Sequence, residues 1–320
     1  MIGRLYFSIG ICTKFFYDSK RNGFDKVEKV AFLLKKLSNV TRNPKCSTLL
    51  AGLAYFFGCD ETITSFEAKN AMRPFIIAGN LKMNVMKKDI EDLFIKLKKV
   101  EIHPEFEIVV ALPSVYLHFP KKMVPKNITL AAQNCYRAPQ GSYTGEISPS
   151  MLMDVGVQWV VLGHSERRQM FCETNEVIRQ KICHSLSQGM SVIVCVGETL
   201  EEKQNKKSEE VISRQLGSMC SSVVDWTKVV IAYEPLWVTP NDKAVDPQEV
   251  EDIHCKIRKW LKTHVSPTAA QITRIIYAGP LSGIDCAKYS KMRDIDGFLF
   301  DKTPFDPEEF IEVLYDGTDF

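Results

Sequence analysis

Short apolar runs alternate with longer amphipathic stretches from Arg73 to the C-terminus. The runs are rich in β-branched and aromatic residues, and their nearly continuous apolar character predicts strands that are buried on both faces. Alternation of such strands with helical stretches is typical of β/α units around a parallel sheet. The predicted strands are Phe75–Ala78, Glu107–Ala111, Thr129–Gln133, Trp159–Leu162, Ser191–Val196, Val229–Tyr233, Thr273–Tyr277 and Gly297–Phe300.

Two of the predicted helices have readable N-termini. Asp246-Pro247-Gln248-Glu249 supplies an N-cap residue, a proline for the first helical position and a glutamate whose side chain is placed to bond back to the cap. Asp306-Pro307-Glu308-Glu309 repeats this pattern before the last predicted helix.

Eight strand–helix units in about 250 residues predict a closed (β/α)8 barrel. The alternative is an open, doubly wound sheet, which requires a glycine-rich G-x-G-x-x-G turn after its first strand. The sequence has no such turn. We therefore predict the α/β class, with a (β/α)8 barrel over residues 73–320 that is preceded by a non-barrel extension.

Residues 1–72 do not follow the alternating pattern. They contain eleven Lys and Arg residues against six Asp and Glu residues, and a short apolar stretch at Leu5–Cys12 precedes a basic region. One interpretation, which we favour, is a plastid-like organellar leader. The other is a disordered extension, or a start codon assigned ahead of the true domain. The expected compartment is therefore the cytoplasm or an organelle, and neither interpretation places a catalytic residue in this segment.

The composition is that of an ordinary globular protein, with 45% apolar and 25% charged residues. A formal net charge of +2 gives no reason to expect nucleic acid as a partner. The longest apolar run, Leu49–Gly58, is too short to span a bilayer, so no membrane partner is expected. Ten cysteines occur without a C-x-x-C pair, which favours free thiols in a reducing compartment over a disulfide framework.

Polar residues at the carboxyl ends of the predicted strands are the candidate functional residues, because the active sites of such barrels form at that face. Asn80 and Lys82 follow the first strand, and alternation directs both side chains to one side if the strand continues that far. His164, Cys195 and Glu234 lie at the ends of the fourth, fifth and sixth strands. Each has an ordinary alternative, as a core histidine, a packed thiol, a solvated lysine or a salt-bridged glutamate. Four polar strand ends on one rim favour a site.

Six motifs resemble those of the triosephosphate isomerase family, in that family's order, between Arg73 and the C-terminus. The motifs after the fourth and sixth strands are highly specific. The six are Asn80-Leu81-Lys82-Met83-Asn84, Gln133-Asn134-Cys135, Thr144-Gly145-Glu146, Gly163-His164-Ser165-Glu166-Arg167-Arg168, Cys195-Val196-Gly197-Glu198 and Tyr233-Glu234-Pro235-Leu236-Trp237. The resemblance implies a TIM barrel and the aldose–ketose isomerisation of triose phosphates in glycolysis and gluconeogenesis.

The resemblance also implies a role for each site residue, and this family is itself the usual example of such chemistry. Glu234 is the base that moves a proton between adjacent carbons, and His164 is the neutral electrophile that polarises the carbonyl. Lys82 and Asn80 hold the substrate and stabilise the enediolate, since a proton next to a carbonyl becomes removable only when the developing oxyanion meets donors.

Two further residues are expected beside these four. Glu166 supports Lys82, and Cys195 packs behind the site. The helical turn that follows His164 is expected to keep its ring neutral, because helix N-termini present N–H donors. The chemistry calls for no cofactor, and no spacing of ligand residues in the sequence indicates a metal site.

The loop around Thr144, Thr144-Gly145-Glu146, resembles the one that reaches into the partner subunit in this family. The resemblance therefore implies a homodimer. The alternative is an ordinary glycine-containing turn.

Three loops depart from the family pattern, all of them where the family binds the substrate phosphate through backbone N–H groups. After the sixth strand, the flexible lid Ala-Ile-Gly-Thr-Gly-Lys is replaced by Val238-Thr239-Pro240-Asn241-Asp242-Lys243. Tyr277-Ala278-Gly279-Pro280 replaces Tyr-Gly-Gly-Ser after the seventh strand, and Asp301-Lys302 replaces a Gly-Gly pair after the eighth.

These changes are expected to weaken the phosphate grip. Pro240 and Pro280 have no N–H to donate, and each lost charge-assisted hydrogen bond costs about 1.5–3 kcal/mol. Asp242 and Asp301 are expected to bring negative charge toward a dianion, at about 4 kcal/mol for a contact of roughly 4 Å. Thr239 is expected to desolvate Glu234 less than the apolar lid residue of the family does. Two lysines act in the opposite direction, as point charges for phosphate: Lys243 and Lys302.

Three hypotheses follow for the function. The preferred one is a triosephosphate isomerase with a rebuilt phosphate grip. The second is an isomerase of the same chemistry that acts on an unphosphorylated or differently charged hydroxycarbonyl. The third is a catalytically inactive barrel that acts as a binding or scaffold protein, although drift would not be expected to leave all four site residues in place.

Overall fold

The structure is a computed structural model that describes residues 73–101, 106–238, 244–301 and 305–316. The predicted extension at residues 1–72, and with it the question of a leader, lies outside these residues.

Eight parallel strands form a closed barrel in which neighbours follow chain order and β8 pairs with β1. This confirms the predicted (β/α)8 fold and excludes the open doubly wound sheet. The strands are β1 (Ile76–Asn80), β2 (Glu107–Leu112), β3 (Ile128–Ala132), β4 (Trp159–Leu162), β5 (Ser191–Val196), β6 (Val229–Tyr233), β7 (Arg274–Tyr277) and β8 (Gly297–Phe300).

Helices connect the strands around the outside of the barrel. Short 3-10 turns occur at Ser114–Tyr116, Phe119–Lys122 and Trp226–Lys228. The α-helices are α1 (Lys87–Leu97), α2 (Pro149–Asp154), α3 (Ser165–Met170), α4 (Asn175–Ser187), α5 (Leu200–Gln204), α6 (Ser208–Cys220), α7 (Pro247–His264), α8 (Pro267–Ile272), α9 (Gly283–Tyr289) and α10 (Pro307–Asp316). None of the helices in the described ranges is both long enough and apolar enough to cross a bilayer.

Several strand ends differ from the predictions by one or two residues. β1 continues to Asn80 because this residue still pairs with Ala111 of β2. β3 ends before Gln133, whose side chain donates instead to the carbonyls of Ala111 and Lys82 at 3.2 and 3.1 Å. Gln133 thereby ties the end of β3 to β2 and to the turn after β1.

The two predicted helix starts are present, with one difference. Asp246 caps α7 by accepting a hydrogen bond from the Gln248 N–H at 2.7 Å, and an aspartate caps α10 in the same way. The predicted return bond from Glu249 is wrong. The Glu249 carboxylate pairs with Lys203 on α5 instead, because the ammonium reaches it across the helix interface.

The strand side chains alternate between two buried layers. One layer fills the barrel interior with small and medium side chains such as Ala78, Val161 and Ile193, and the other packs between the barrel and the helices. Burial of both layers explains why the strands are apolar throughout. Asn80 follows Ala78 on the interior face of β1, so its amide lies at the top of the barrel.

The pairing of β8 with β1 closes the barrel and depends on Gly297. Gly297 takes a φ of +146°, and a Cβ there would lie 1.9 Å from the carbonyl oxygen of Ile76. A side chain at this position would separate the two strands. Closure sets the residues that follow β8 beside those that follow β1.

A buried carboxylate fastens the opposite end of the barrel. Asp296 accepts hydrogen bonds from Arg73 Nε at 2.8 Å, from Arg258 Nη2 at 2.6 Å and from the Ile275 N–H at 2.9 Å. These donors come from the segment before β1, from α7 and from β7. The Asp296 side chain therefore links the start of the barrel, before β1, to its last strands.

Replacement of Asp296 by Asn is expected to lower the free energy of unfolding by about 3–5 kcal/mol, because the buried Arg73 guanidinium loses its carboxylate and Arg258 keeps only Asp294. Urea denaturation measures the loss. The control is E308Q, which removes the acid of a surface pair with Lys96 and is expected to leave the stability nearly unchanged. Equal losses in the two variants would contradict the role of Asp296.

Candidate active site

Four side chains converge at the carboxyl end of the barrel. They follow β1, β4, β6 and β8 and are largely buried: Lys82, His164, Glu234 and Asp301. The His164 Nε2 atom is central, at 3.5 Å from Glu234 Oε1 and 3.0 Å from Asp301 Oδ2. Three of the four were predicted as site residues from the sequence.

The turn after β4 fixes the position of His164. Gly163 takes a left-handed φ of +71°. Arg168 donates to the Gly163 carbonyl at 2.7 Å and to the Cys195 carbonyl at 3.1 Å, which ties this turn to β5. His164 is then the N-cap of α3, with its Nδ1 facing the Glu166 N–H at 3.3 Å. The Nε2 atom is left pointing into the site.

Lys82 is directed into the site by a left-handed turn and not by strand alternation. β1 ends at Asn80, and Lys82 takes a φ of +48°, which costs a non-glycine residue about 1–3 kcal/mol. The Asn80 side-chain oxygen accepts from the Lys82 N–H at 3.2 Å, and Gln133 donates to the Lys82 carbonyl. These bonds hold the strained turn, so the condition under which alternation applied, a strand that continues to Lys82, is not met.

Glu234 leaves β6 where the chain of β5 comes very close. A Cβ on Gly197 would lie 1.8 Å from the Glu234 carbonyl oxygen, so only glycine fits. Ser165 holds the Glu234 carboxylate twice, by its backbone N–H to Oε2 at 3.0 Å and by its hydroxyl to Oε1. The carboxylate therefore lies between Ser165 and His164.

The burial of Glu234 makes it a stronger base than an ordinary glutamate. Burial raises the pKa of Glu234, while the charge of His164 and the hydrogen bonds from Ser165 lower it, and the net shift is upward. A raised pKa increases the affinity for a proton that a general base needs near neutral pH.

The Asp301 carboxylate contacts His164 and Lys82, the two donors that were expected to bind the substrate carbonyl. Its Oδ2 is 3.0 Å from His164 Nε2 and 3.2 Å from Lys82 Nζ. Burial alone raises the pKa of Asp301, but the hydrogen bond from His164 and the charge of Lys82 bring it below its ordinary value. The sequence predicted negative charge from Asp301 at the phosphate loops, whereas the structure places this charge beside His164 and Lys82.

The expectation of a neutral His164 is contradicted for this arrangement. Burial lowers the pKa of His164, but the neighbouring carboxylates, Glu234 first and then Asp301 and Glu166, raise it to about 9. The Glu166 N–H favours an unprotonated Nδ1, yet this contact is long at 3.3 Å and the Glu166 carboxylate lies 3.7 Å from the same atom. We therefore expect an imidazolium at neutral pH while Asp301 is in place.

The charge on Lys82 is also reinforced by its neighbours. Burial lowers the pKa of Lys82, while Asp301 and Glu166 raise it above its ordinary value. Glu166 Oε1 lies 3.0 Å from Lys82 Nζ, although the Glu166 side chain is about half exposed. Cys195 is fully buried in the barrel interior below the site, and burial raises the pKa of its thiol.

Glu198, at the end of β5, braces the segment that carries Glu234. Its Oε1 accepts from the Tyr233 hydroxyl at 3.1 Å and from Trp237 Nε1 at 3.0 Å. The Leu236 N–H donates to the Glu198 carbonyl at 3.0 Å. The chain on both sides of Glu234 is therefore fixed to β5.

Three side chains of the site are also common metal ligands. One ligand atom from each of His164, Glu234 and Asp301 lies within 4.8 Å of the other two. The sequence did not predict this group, because the residues follow three different strands. Lys82 already pairs with the Asp301 oxygen, and Ser165 donates to both oxygens of Glu234. Protein donors therefore satisfy the two carboxylates in this arrangement.

Most of the departures in the loops lie outside the described residues: Thr239, Pro240, Asn241, Asp242, Lys243 and Lys302. Their expected effects on phosphate binding and on the lid stay predictions. Pro280 is described and is partly buried after β7. Residues 141–146, which include Thr144, form an exposed loop.

Two contacts were not found from the sequence. Ser165 stood in a quoted motif without a role, and its position beside His164 was the available signal. No local sequence pattern indicated that Asp301 contacts His164 and Lys82, because this contact depends on the pairing of β8 with β1.

Comparison with known proteins gives one family match. Residues 75–316 match the family model that is described as triosephosphate isomerase. The matched range extends from the residue before β1 to the end of α10. It therefore contains the whole barrel and every site residue named above.

The hydroxyl of Ser165 is expected to keep Glu234 ionised. S165A removes one hydrogen bond to a charged group, so the pKa of Glu234 is expected to rise by about one pH unit or more. Infrared spectroscopy over a pH series, with E234Q to assign the carboxyl band, measures this pKa. S165T keeps the hydroxyl and serves as the control. An unchanged pKa in S165A would show that the hydroxyl has no such effect.

Proposed function

The chain belongs to the triosephosphate isomerase family, and from this premise we propose that it interconverts glyceraldehyde 3-phosphate and dihydroxyacetone phosphate through an enediolate. The observation that carries the proposal is the pairing of a buried carboxylate with a buried imidazole, with Glu234 Oε1 at 3.5 Å from His164 Nε2. A base and an electrophile at this separation can act on adjacent atoms of one small substrate.

Glu234 removes the proton in this proposal and returns it to the neighbouring carbon. The raised pKa of Glu234, caused by burial, supports this role. The Ser165 hydrogen bonds hold the carboxylate in an ionised waiting position. Transfer of the proton requires Glu234 to exchange at least one of these bonds for contact with the substrate.

His164 and Lys82 stabilise the oxyanion that develops as the proton leaves. The two donors come from different strands and converge on one point, which is the arrangement that oxyanion stabilisation needs. Asn80 acts by holding the turn of Lys82, through the bond from the Lys82 N–H at 3.2 Å. Glu166 supports the ammonium from the outer side at 3.0 Å.

A second candidate is the same isomerisation of an unphosphorylated hydroxycarbonyl. Pro280 follows β7 and has no N–H to give to a phosphate. Asp301 adds a negative charge at the site, which disfavours a dianionic substrate. These two residues favour the second candidate, whereas the family match favours a triose phosphate.

The proposal predicts that E234Q lowers kcat for glyceraldehyde 3-phosphate by about a hundredfold to ten-thousandfold, because the general base is lost. KM is expected to change little, since the carboxylate acts in the transition state. E234D keeps a carboxylate that is set back by one methylene and is expected to fall between wild type and E234Q. A coupled assay in both directions measures these rates, with E308Q as an unaffected control.

The outcomes separate the three hypotheses. Equal rates in wild type and E234Q would refute the assignment of the base. Turnover of unphosphorylated glyceraldehyde alone would favour the second candidate. A folded protein that turns over neither substrate would favour the inactive binding or scaffold barrel.

A homodimer through the loop around Thr144 is part of the proposal. The loop is exposed. The turn after β1 carries two exposed methionines close together in the chain, Met83 at 96% and Met86 at 69%. Grouped exposed apolar side chains favour a contact surface, whereas a single one is ordinary.

The proposed dimer predicts that wild type sediments as twice the chain mass and that T144D dissociates, because a charge enters the contact without a partner. Sedimentation velocity measures both. V224D adds the same charge at a residue that is 98% exposed elsewhere and is expected to remain dimeric. A monomeric wild type would refute the proposal.

A further inference from the structure

One oxygen atom of Asp301 receives both donors of the proposed oxyanion site. Its Oδ2 lies 3.0 Å from His164 Nε2 and 3.2 Å from Lys82 Nζ. The Asp301 side chain is only 19% exposed, so this contact is made largely out of water. An oxyanion site has this geometry when it is occupied: two donors converge on one buried, negatively charged oxygen.

We propose that Asp301 is an internal competitor of the substrate, whose carboxylate occupies the oxyanion position until a substrate oxygen displaces it. This inference rests on the proposed function for the identity of the substrate. It assigns Asp301 as a specificity-determining residue of the proton-transfer centre, which differs from the phosphate-repelling role expected from the sequence.

Three carboxylates surround two cations when Asp301 occupies this position. Lys82 and His164 face Asp301 with positive charge, Glu166 pairs with Lys82, and Glu234 contacts the same His164 Nε2 atom as Asp301 does. Cys195 approaches from the barrel interior, with its thiol kept protonated by burial. Removal of the Asp301 charge leaves two carboxylates, Glu166 for Lys82 and Glu234 for His164, so neither donor loses its last acidic neighbour.

Displacement of Asp301 discriminates between substrate states. A neutral carbonyl oxygen is a weaker acceptor for cationic donors than a carboxylate is. The ground-state substrate therefore competes poorly for the donors, whereas the enediolate oxygen carries charge and competes well. The apparent affinity falls by the fraction of molecules in which the donors are free. Because the substrate carbonyl takes the place of the Asp301 carboxylate, the bound complex forms only after displacement, and Asp301 is expected to raise KM more than it lowers kcat.

The matching of β8 and β1 explains why a single substitution produces this seat. Gly297 brings the two strands into contact, and Asp301 and Lys82 are the first residue after β8 and the second residue after β1. The left-handed turn of Lys82 points the ammonium toward the end of β8. A residue after β8 with a short acidic side chain therefore reaches the donors without any change in the barrel.

The first experiment tests whether the Asp301 carboxylate occupies the donors, and it does not require the protein to turn over a substrate. NMR titration of His164, assigned by its loss in H164Q, is carried out on wild type, D301G and D301N. Removal of the carboxylate is expected to lower the pKa of His164 by about one pH unit or more. Formate, as a free carboxylate, is expected to bind the vacated donors of D301G and restore the pKa, while it leaves wild type unchanged.

The second experiment measures the consequence for catalysis. D301G is expected to lower KM for glyceraldehyde 3-phosphate by at least about tenfold, and formate is expected to inhibit D301G competitively and wild type weakly. D306N is the matched control. It removes an equal charge five residues further along the chain and keeps a residue that caps α10. The kinetics of D306N are expected to equal those of wild type.

The outcomes distinguish this inference from the proposed function. Equal His164 titrations in wild type, D301G and D301N, or equal formate binding, would overturn the internal competitor. An unchanged KM in a D301G protein that turns over the substrate would also overturn it. If no variant turned over the substrate but formate restored the pKa of His164 in D301G, the proposed function would be refuted. The inference that the Asp301 carboxylate occupies the two donors would then be supported.

Discussion

Contact between β8 and β1 is the constraint on which the candidate site depends. Gly297 lets the two backbones approach, and Asp296 fastens the same strand to Arg73 and Arg258 at the amino end of the barrel. Once the barrel is closed, residues that are more than two hundred positions apart in the chain become neighbours. The pairing of Asp301 with Lys82 is one result. The site is therefore a property of the closed barrel and not of any single loop.

The site concentrates charge in a largely buried space, and this concentration sets the state of each group. Burial makes Glu234 more basic, and the nearby carboxylates make His164 easier to protonate. The same carboxylate that stabilises the cations also covers them. In the proposed function, substrate binding replaces one set of charge-assisted hydrogen bonds by another, which links affinity to the acceptor strength of the incoming oxygen.

Strand and helix positions were predictable because they follow from local periodicity and composition. All eight strands were found within two residues at either end, since runs that are apolar on both faces fit strands of a sheet that helices cover. The site residues Asn80, Lys82, His164 and Glu234 were found from motifs that stand at strand ends. The left-handed turn that directs Lys82 into the site was not predicted, because strand alternation does not describe a backbone with positive φ. The upward shift in the pKa of His164 was not predicted because it depends on carboxylates that follow other strands.

The sequence by itself determined the (β/α)8 architecture, the family and the identity of the polar residues at the rim of the barrel. Each of these follows from short stretches of the chain, through periodicity, capping residues or contiguous motifs. Only the tertiary structure decided that Ser165 holds Glu234 and that Asp301 covers the donors of His164 and Lys82. These contacts join the ends of separate strands across the mouth of the barrel. Closure of the sheet and burial fix the distances of these contacts, and no local sequence pattern predicts either of them.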